Sequence, residues 1–259
     1  MTTAPLVIVA AVNGGMQMDR DGARVPVSPE EIAEDARLCA EAGAAIVHVH
    51  ARDGNGRNTG DTAVFSEIIR QIRDRCDILI QTTNGVGVHR DPRTGQMIWP
   101  ADEERLALVN LQPSPDLYGV AAGSTDFFHP EGGYHVETPY VNSPQFLKET
   151  IRADTEYLVY LRQQGLRLFP NAQWGVIGAG HANFTWATLG MAMGCTTARI
   201  GFEDGVYLPD GRVAERNREL VEELVRIAAI FGRRPATPAQ ARAIMGRDRG
   251  QTSPRRHSR

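Results

Sequence analysis

The chain has 259 residues, 42% hydrophobic and 23% charged, which is ordinary for a globular protein and long enough to bury one large core. Its formal net charge of -3 gives no reason to expect a nucleic acid or an acidic membrane as a partner. Basic residues are concentrated in residues 247–259, which we predict to be a disordered tail after a single domain of residues 1–246.

The three cysteines lie far apart, in or beside apolar segments. This placement indicates reduced, buried thiols in a cytoplasmic protein. Apolar runs stay shorter than a membrane span, so we expect no transmembrane helix. The first strand follows the N-terminus without a basic leader, so we also expect no export signal.

Strand-like and helix-like runs alternate along the chain. Residues 6–12 predict a strand, and Ser28 then caps a helix that begins with Pro29 and ends at Gly43. Further strands are predicted at 44–50, 77–83, within 117–128, 173–178 and 197–202, and further helices at 62–75, 101–111, 143–164, 183–193, 217–231 and after Pro238.

This alternation favours parallel strands joined by helices, and the length suits a (β/α)8 TIM-type barrel. A doubly wound open sheet is the alternative, but no Gly-x-Gly-x-x-Gly motif follows the first strand. The sequence shows six clear strands, and residues 134–137 and 166–169 are poorly patterned candidates for the others. We therefore expect a barrel that is abbreviated or irregular over residues 129–170.

His48 and His50 are two apart in a run that predicts a buried strand, so their imidazoles lie on the same face near its C-terminal end. Such a pair can chelate a divalent metal, and a hydrogen-bonded histidine pair is the alternative. Glu203, expected on one face with Arg199, would supply a third ligand. The alternative for Glu203 and for Asp204 is that the acid pairs with Arg199 or caps a turn. Two imidazoles and one carboxylate leave an open position, as catalytic metal sites require.

The C-terminal strand ends of a parallel barrel form its active site. Further polar and glycine residues follow the predicted strands and are candidates for substrate binding. These candidates are Asn13, Thr83, Asn84, Gly85, Ser124 and His181, with Asp204 beside the last strand.

These segments resemble the β-keto acid cleavage enzymes, whose type activity is 3-keto-5-aminohexanoate cleavage. The matching segments are residues 11–14, 44–52, 81–85, 123–124 and 198–221. The resemblance implies a (β/α)8 barrel that holds a divalent metal, usually zinc, on His48, His50 and Glu203. It also implies a retro-Claisen-type exchange, in which a β-keto acid and acetyl-CoA give acetoacetate and the CoA ester of the remaining acyl part. Family members assemble as multimers, often tetramers, so a homo-oligomer is expected.

Within that reaction, Asp204 is the candidate base for the acetyl-group proton, and it would need a raised pKa. Arg199 would position this carboxylate or stabilise negative charge. The hydroxyl groups of Thr83 and Ser124 would orient the substrate carboxylate, with turn capping as the alternative.

The chain departs from the family pattern at two candidate substrate-binding positions. Met16 stands where members that act on amino-substituted substrates carry an acid. We therefore hypothesise a neutral or apolar acyl substituent. His181 stands where the family pattern tends to have arginine, which would weaken a substrate or CoA contact.

Three other functions use the same residues. A metal-dependent aldolase or other lyase would need no CoA. A non-catalytic metal-binding barrel would bind the ion without turnover. An iron oxygenase has the same ligand set, but its usual jelly-roll fold does not match this alternating pattern.

Overall fold

The computed structural model describes residues 4–15, 17, 19, 22–86, 89–90, 93–94, 97–98, 100–119, 127–129, 133–135 and 155–246. The predictions for Met16, for Ser124 and for the tail at 247–259 lie outside these residues. The β-strands among the described residues are β1 (Val7–Ala11), β2 (Ile46–His48), β3 (Leu79–Thr83), β4 (His89–Arg90), β5 (Met97–Ile98), β6 (Leu117–Gly119), β7 (Phe127–His129), β8 (Gly133–His135), β9 (Gly175–Val176) and β10 (Thr197–Ile200).

Seven α-helices are described alongside these strands. They are α1 (Pro29–Ala42), α2 (Thr62–Arg75), α3 (Asp102–Ala107), α4 (Thr155–Leu168), α5 (Asn183–Ala192), α6 (Asn217–Ile230) and α7 (Pro238–Ile244), with short 3-10 helices at Leu108–Asn110 and Gly180–Ala182. Most predicted helices are recovered. The predicted helix over 143–164 begins outside the described residues, and α4 extends beyond its predicted end.

Six of the strands form one parallel sheet in the order β6-β3-β2-β1-β10-β9. The first and last strands are neighbours, with Ile8 paired to Ala198, and β2 lies on the other side of β1. This arrangement is the strand order of a (β/α) barrel, in which the last strand returns to the first. The predicted barrel class is confirmed.

The described part of the barrel wall is incomplete between β6 and β9, where two more strands would complete eight. Residues 133–135 form an antiparallel hairpin with β7, and residues 166–168 end helix α4. Neither weak strand candidate is therefore a barrel strand within the described residues. Most of the range 129–170, where an irregular barrel is expected, lies outside the described residues.

Local sequence signals set the ends of α1. Ser28 and Glu31 form a reciprocal capping box, and Gly43 ends the helix with a φ of 115°, a left-handed conformation that favours glycine. The helix packs Ile32 and Cys39 into the core that lies against the sheet. Correct capping and one apolar face thus place α1 beside the strands that carry the candidate site.

The three cysteines are free thiols, with Cys39 and Cys195 buried and Cys76 partly exposed. The prediction of unpaired thiols is therefore confirmed, and burial is incomplete at Cys76. Among the described residues, no helix is both long enough and apolar enough to cross a membrane.

The last strand ends at Ile200, two residues earlier than expected. Gly201 causes this, because it has a φ of 145° and a Cβ there would lie 2.2 Å from the Ala11 carbonyl oxygen. The backbone N–H of Glu203 donates to that same oxygen at 3.1 Å. Glu203 therefore lies in a turn held against β1, and the expectation that it shares a strand face with Arg199 was wrong.

Candidate active site

The two histidines meet at the C-terminal end of β2. His48 is the last residue of the strand, and its Nε2 lies 3.3 Å from Nε2 of His50. Their side chains are only 5% and 8% exposed. The i, i+2 spacing therefore does what the sequence predicted, because it directs both rings to one point.

Neighbouring amides hold these rings in place. Asn13 brackets the backbone of His50, since its Oδ1 accepts from the His50 N–H at 3.0 Å and its Nδ2 donates to the His50 carbonyl at 2.9 Å. Gln81 is paired with His48 across β2 and β3, and its Oε1 lies 3.0 Å from His48 Nδ1. Burial lowers the pKa of His48 to about 3. The ring is thus neutral at ordinary pH, which is the form that binds a metal.

Glu203 reaches the two imidazoles from the other side of β1. Its Oε2 lies 3.4 Å from His48 Nε2, and its Oε1 lies 3.5 Å from His50 Nε2. Burial by itself raises the pKa of this carboxyl, but its contacts with His50 and with the charged Arg199 outweigh burial and hold the pKa well below its usual value. Glu203 is therefore ionised in the folded protein.

The donor set fits a divalent cation. Ligand atoms about 2.0–2.1 Å from a tetrahedral zinc ion lie about 3.4 Å apart. The observed separations among the two Nε2 atoms and the carboxylate oxygens are 3.3, 3.4 and 3.5 Å. Glu203 Oε2 is also buried without a hydrogen-bond partner, so an acceptor is left for an ion. The three residues are a cluster whose ligand atoms all lie within 4.8 Å of one another.

Arg199 joins this cluster to a second acid. Its Nη2 lies 2.8 Å from Glu203 Oε1, and its Nε and Nη2 each donate to Asp204 at 2.8 Å. Glu203 and Asp204 therefore both pair with Arg199, which is the alternative role that the sequence left open for each of them. Burial raises the pKa of Asp204 above its usual value even though Arg199 opposes that rise. A raised pKa is what a carboxylate base requires.

The structure brings the other predicted residues to the same end of the sheet with different contacts. Thr83 Oγ1 accepts from the Gly85 N–H at 2.9 Å, which is the turn-capping alternative. The Asn84 carbonyl accepts from Arg105. The His181 ring stacks on Tyr207, with centroids 3.6 Å apart. These contacts are structural observations, and roles in substrate binding stay predictions.

Three residues near the cluster were missed by sequence reasoning. Gln81 contacts His48, and Gln17 Nε2 donates to the Glu203 carbonyl at 2.8 Å. A Cβ on Gly119 would lie 3.3 Å from His48 Cε1, so glycine leaves room for the ring. Gln81 had a signal, because it is a polar residue inside an apolar strand. The other two depend on loop paths that local patterns do not encode.

Paired imidazoles, a carboxylate and a buried acid–guanidinium pair at strand C-termini define a candidate metal-centred enzyme of the (β/α)-barrel class. Comparison with known proteins identifies the group within that class. The chain belongs to the beta-keto acid cleavage enzyme family, whose model matches residues 5–156 and 147–246. The resemblance drawn from the sequence is thereby confirmed.

Individual relatives agree with this membership. The chain is 31% identical to the 3-keto-5-aminohexanoate cleavage enzyme of Fusobacterium nucleatum subsp. nucleatum, over 93% of this chain and 97% of that protein. It is 26% identical to the 3,5-dioxohexanoate:acetyl-CoA acetone transferase of Paraburkholderia graminis, over 94% of this chain and 96% of the relative. The solved binary complex of ObcA with oxaloacetate has a TM-score of 0.64 at 16% identity, covering 86% of this chain and 67% of that one, and supports the fold.

Proposed function

We propose that this protein exchanges acyl groups between a β-keto acid and acetyl-CoA, giving acetoacetate and a new acyl-CoA. His48, His50 and Glu203 would hold a divalent cation, for which we propose zinc. The convergence of these three side chains, 3.3–3.5 Å apart, is the observation that carries the proposal. The named activity of the Paraburkholderia relative supports acetyl-CoA as the co-substrate.

The carbon balance of the reaction determines which carbon atom must lose a proton. Acetoacetate takes its acetyl group from acetyl-CoA and its CH2–carboxylate unit from the β-keto acid. The new C–C bond therefore forms at the substrate carbon between the keto group and the carboxylate. The thiolate released from acetyl-CoA adds to the keto carbon, and the old C–C bond then breaks. The proton to be removed is on the substrate carbon, which corrects the expectation of an acetyl-group proton.

Asp204 is the proposed base for that proton, which it returns to the same carbon when the old C–C bond breaks. Burial raises its pKa, and Arg199 holds both of its oxygens in place at 2.8 Å. Arg199 also contacts Glu203, so one guanidinium fixes the distance between base and cluster. A divalent cation bound at the cluster would act as a Lewis acid toward the keto oxygen. Thr83, whose hydroxyl proton remains available after Oγ1 accepts from Gly85, is proposed to orient the substrate carboxylate.

The proposed substrate has a neutral or apolar acyl substituent. Met16 provides no counter-charge for an amine. Its neighbours in the chain approach the cluster, since a Cβ on Gly15 would lie 3.1 Å from His50 Nδ1 and Gln17 donates to the Glu203 carbonyl. A panel of β-keto acids with neutral and with aminated substituents tests this. Efficient turnover of an aminated substrate would refute the substrate class.

We also propose that the protein works in the cytoplasm as a homo-oligomer, expected to be a tetramer. Free thiols at all three cysteines support a reducing compartment. Light scattering coupled to size-exclusion chromatography measures the assembly. A monomer at micromolar concentration would contradict the oligomer.

Elemental analysis tests the metal site directly. Wild type is expected to carry stoichiometric zinc, and His48→Ala and Glu203→Gln are expected to lose it. Glu222→Gln, at an exposed glutamate of α6, is the matched control and should retain the metal. Retention of metal by both site variants would dismiss the site.

Assays with and without acetyl-CoA test the reaction. Product that forms only with acetyl-CoA supports the exchange. Equal cleavage without acetyl-CoA would instead identify a lyase. Bound zinc without turnover on any β-keto acid would identify a non-catalytic metal-binding barrel.

A further inference from the structure

Asn217 is the first residue of α6, and it is completely buried. Its amide does not cap its own helix, because Glu219 accepts from the backbone N–H groups of Glu215 and Arg216 at 2.8 and 3.1 Å. The amide instead makes its hydrogen bonds to three other parts of the barrel. A buried amide of this kind links separate segments, and the segments it links indicate its role.

The three hydrogen bonds of the Asn217 amide determine its orientation. Oδ1 accepts from the Phe202 N–H at 2.8 Å, and Nδ2 donates to the Val12 carbonyl at 2.9 Å. Nδ2 also donates to Asp35 Oδ2 on α1 at 2.6 Å. One donor and two acceptors surround the amide, so the opposite orientation would place N–H against N–H and oxygen against oxygen.

The oxygen end of the amide supports the turn that carries Glu203. Phe202 directly precedes Glu203, and the same turn is tied to β1 by the Glu203 N–H, which donates to the Ala11 carbonyl at 3.1 Å. Phe202 is buried, so its N–H would lose its partner if the Asn217 side chain were removed. A buried N–H without a partner is unfavourable, and the turn would shift to relieve it.

The nitrogen end of the amide supports the segment that contacts both histidines. Val12 directly precedes Asn13, whose side chain brackets the backbone of His50. The Val12 N–H donates to the His48 carbonyl at 3.2 Å. Through one side chain, Asn217 therefore joins the backbone segments on the two sides of the cluster.

We propose that Asn217 is a positioning residue for the cluster, because it sets how far Glu203 lies from the two imidazoles. The carboxylate oxygens lie 3.4 Å from His48 Nε2 and 3.5 Å from His50 Nε2, which are separations that suit a shared cation. The inference rests on the proposed metal function. Ligands must be held within about 0.5 Å of the productive geometry, so a small shift of the turn is enough to weaken metal binding.

Asn217→Ala removes all three hydrogen bonds and tests this role. Leu224→Ala is the matched control, because Leu224 is a fully buried core residue of the same helix. Both variants are expected to unfold at lower urea concentration than wild type. Zinc affinity is measured by competition with a chelator under conditions in which each variant is folded. We expect about tenfold weaker binding in Asn217→Ala and at most an about twofold change in Leu224→Ala, judged against the loss typical when the support of a metal ligand is removed.

Cobalt(II) in place of zinc gives a second measurement that a loss of stability alone does not change. Its visible absorption depends on the number and geometry of its ligands. The spectrum of Asn217→Ala is expected to differ from that of wild type, whereas that of Leu224→Ala should match it. If Asn217→Ala does not fold, Asp35→Asn/Asn217→Asp replaces it with the same expectations. That exchange keeps the volume, the charge and the acceptor for Phe202, and it removes the donor to Val12.

Wild-type zinc affinity and an unchanged cobalt spectrum in Asn217→Ala would overturn the proposal, because the amide would then only stabilise the fold. Equal losses of affinity in Asn217→Ala and Leu224→Ala would overturn it as well, since affinity would then follow stability. Wild type that binds neither ion would instead contradict the proposed function. In that event, a crystal structure of Asn217→Ala tests the role, because unchanged distances from Glu203 to the imidazoles would refute it and longer ones would support it.

Discussion

Arg199→Met is the substitution whose consequence the structure defines most sharply. The guanidinium lies between two acids, 2.8 Å from Glu203 and 2.8 Å from Asp204. Methionine keeps most of the side-chain volume and removes the charge. The two carboxylates then face each other in a region where the side chain of Glu203 is 18% exposed and that of Asp204 is 8% exposed.

Breaking a buried ion pair by removing one partner costs about 3–5 kcal/mol, because the remaining charge is buried and uncompensated. Two carboxylates lose their partner here, so we expect the free energy of unfolding of the metal-free protein to fall by about 3–5 kcal/mol. Added zinc should recover part of this loss through Glu203. Turnover should fall even at saturating zinc, since Asp204 is no longer held.

Urea denaturation with and without zinc measures these changes. Arg212→Met is the matched control, since Arg212 Nε lies 2.9 Å from Asp210 Oδ2 with side chains 67% and 57% exposed. A surface pair of this kind should give no measurable change. The double variant Arg199→Met/Asp204→Leu should regain stability without regaining activity. A loss below about 1 kcal/mol in Arg199→Met would refute the electrostatic reasoning, since surface pairs already reach that value.

Three further predictions concern other parts of the fold. Burial raises the pKa of Asp35 to about 6 from 3.8, so its stabilising contribution is present below about pH 4 and lost as the pH rises through 6. At 1.36 kcal/mol per pKa unit, the free energy of unfolding of Asp35→Asn should exceed that of wild type by about 3 kcal/mol at pH 8, and the difference should shrink toward pH 4. Urea denaturation measures this, and equal unfolding curves at pH 8 would contradict the prediction. Gly201→Ala places a Cβ 2.2 Å from the Ala11 carbonyl oxygen and should give no soluble folded protein on expression, whereas a wild-type circular dichroism spectrum would disprove the strain. Gly119→Ala brings a Cβ within 3.3 Å of His48 Cε1 and should weaken zinc binding about tenfold in chelator competition, and unchanged affinity would show that the ring has room to move.

The sequence predicted the parts of this protein that depend on local periodicity. The alternating strands and helices, the capped start of α1 and the convergence of His48 with His50 all follow from spacing within a few residues. The position of Glu203 was correctly expected near the imidazoles. Its place in a turn was not expected, because the end of β10 is set by contact of Gly201 with Ala11, far away in the chain.

Contacts that depend on register between distant segments could not be read from the sequence. Gln81 meets His48 only because β2 and β3 pair in one particular register. Asn58 lies beside Gly15 because the loop after β2 folds back, with Arg52 bridged to Asn58.

Charge balance at the cluster bears on which substrate it accepts. Glu203 and Asp204 carry two negative charges, and Arg199 offsets one of them. Arg52 is buried close by, its guanidinium donating to backbone carbonyls, and adds a further positive charge. A divalent cation on neutral imidazoles would make this region net positive. The carboxylate of a β-keto acid is attracted to such a region, whereas a cationic substituent would be repelled. The electrostatics of the site therefore favour an anionic substrate over one that carries a cationic substituent.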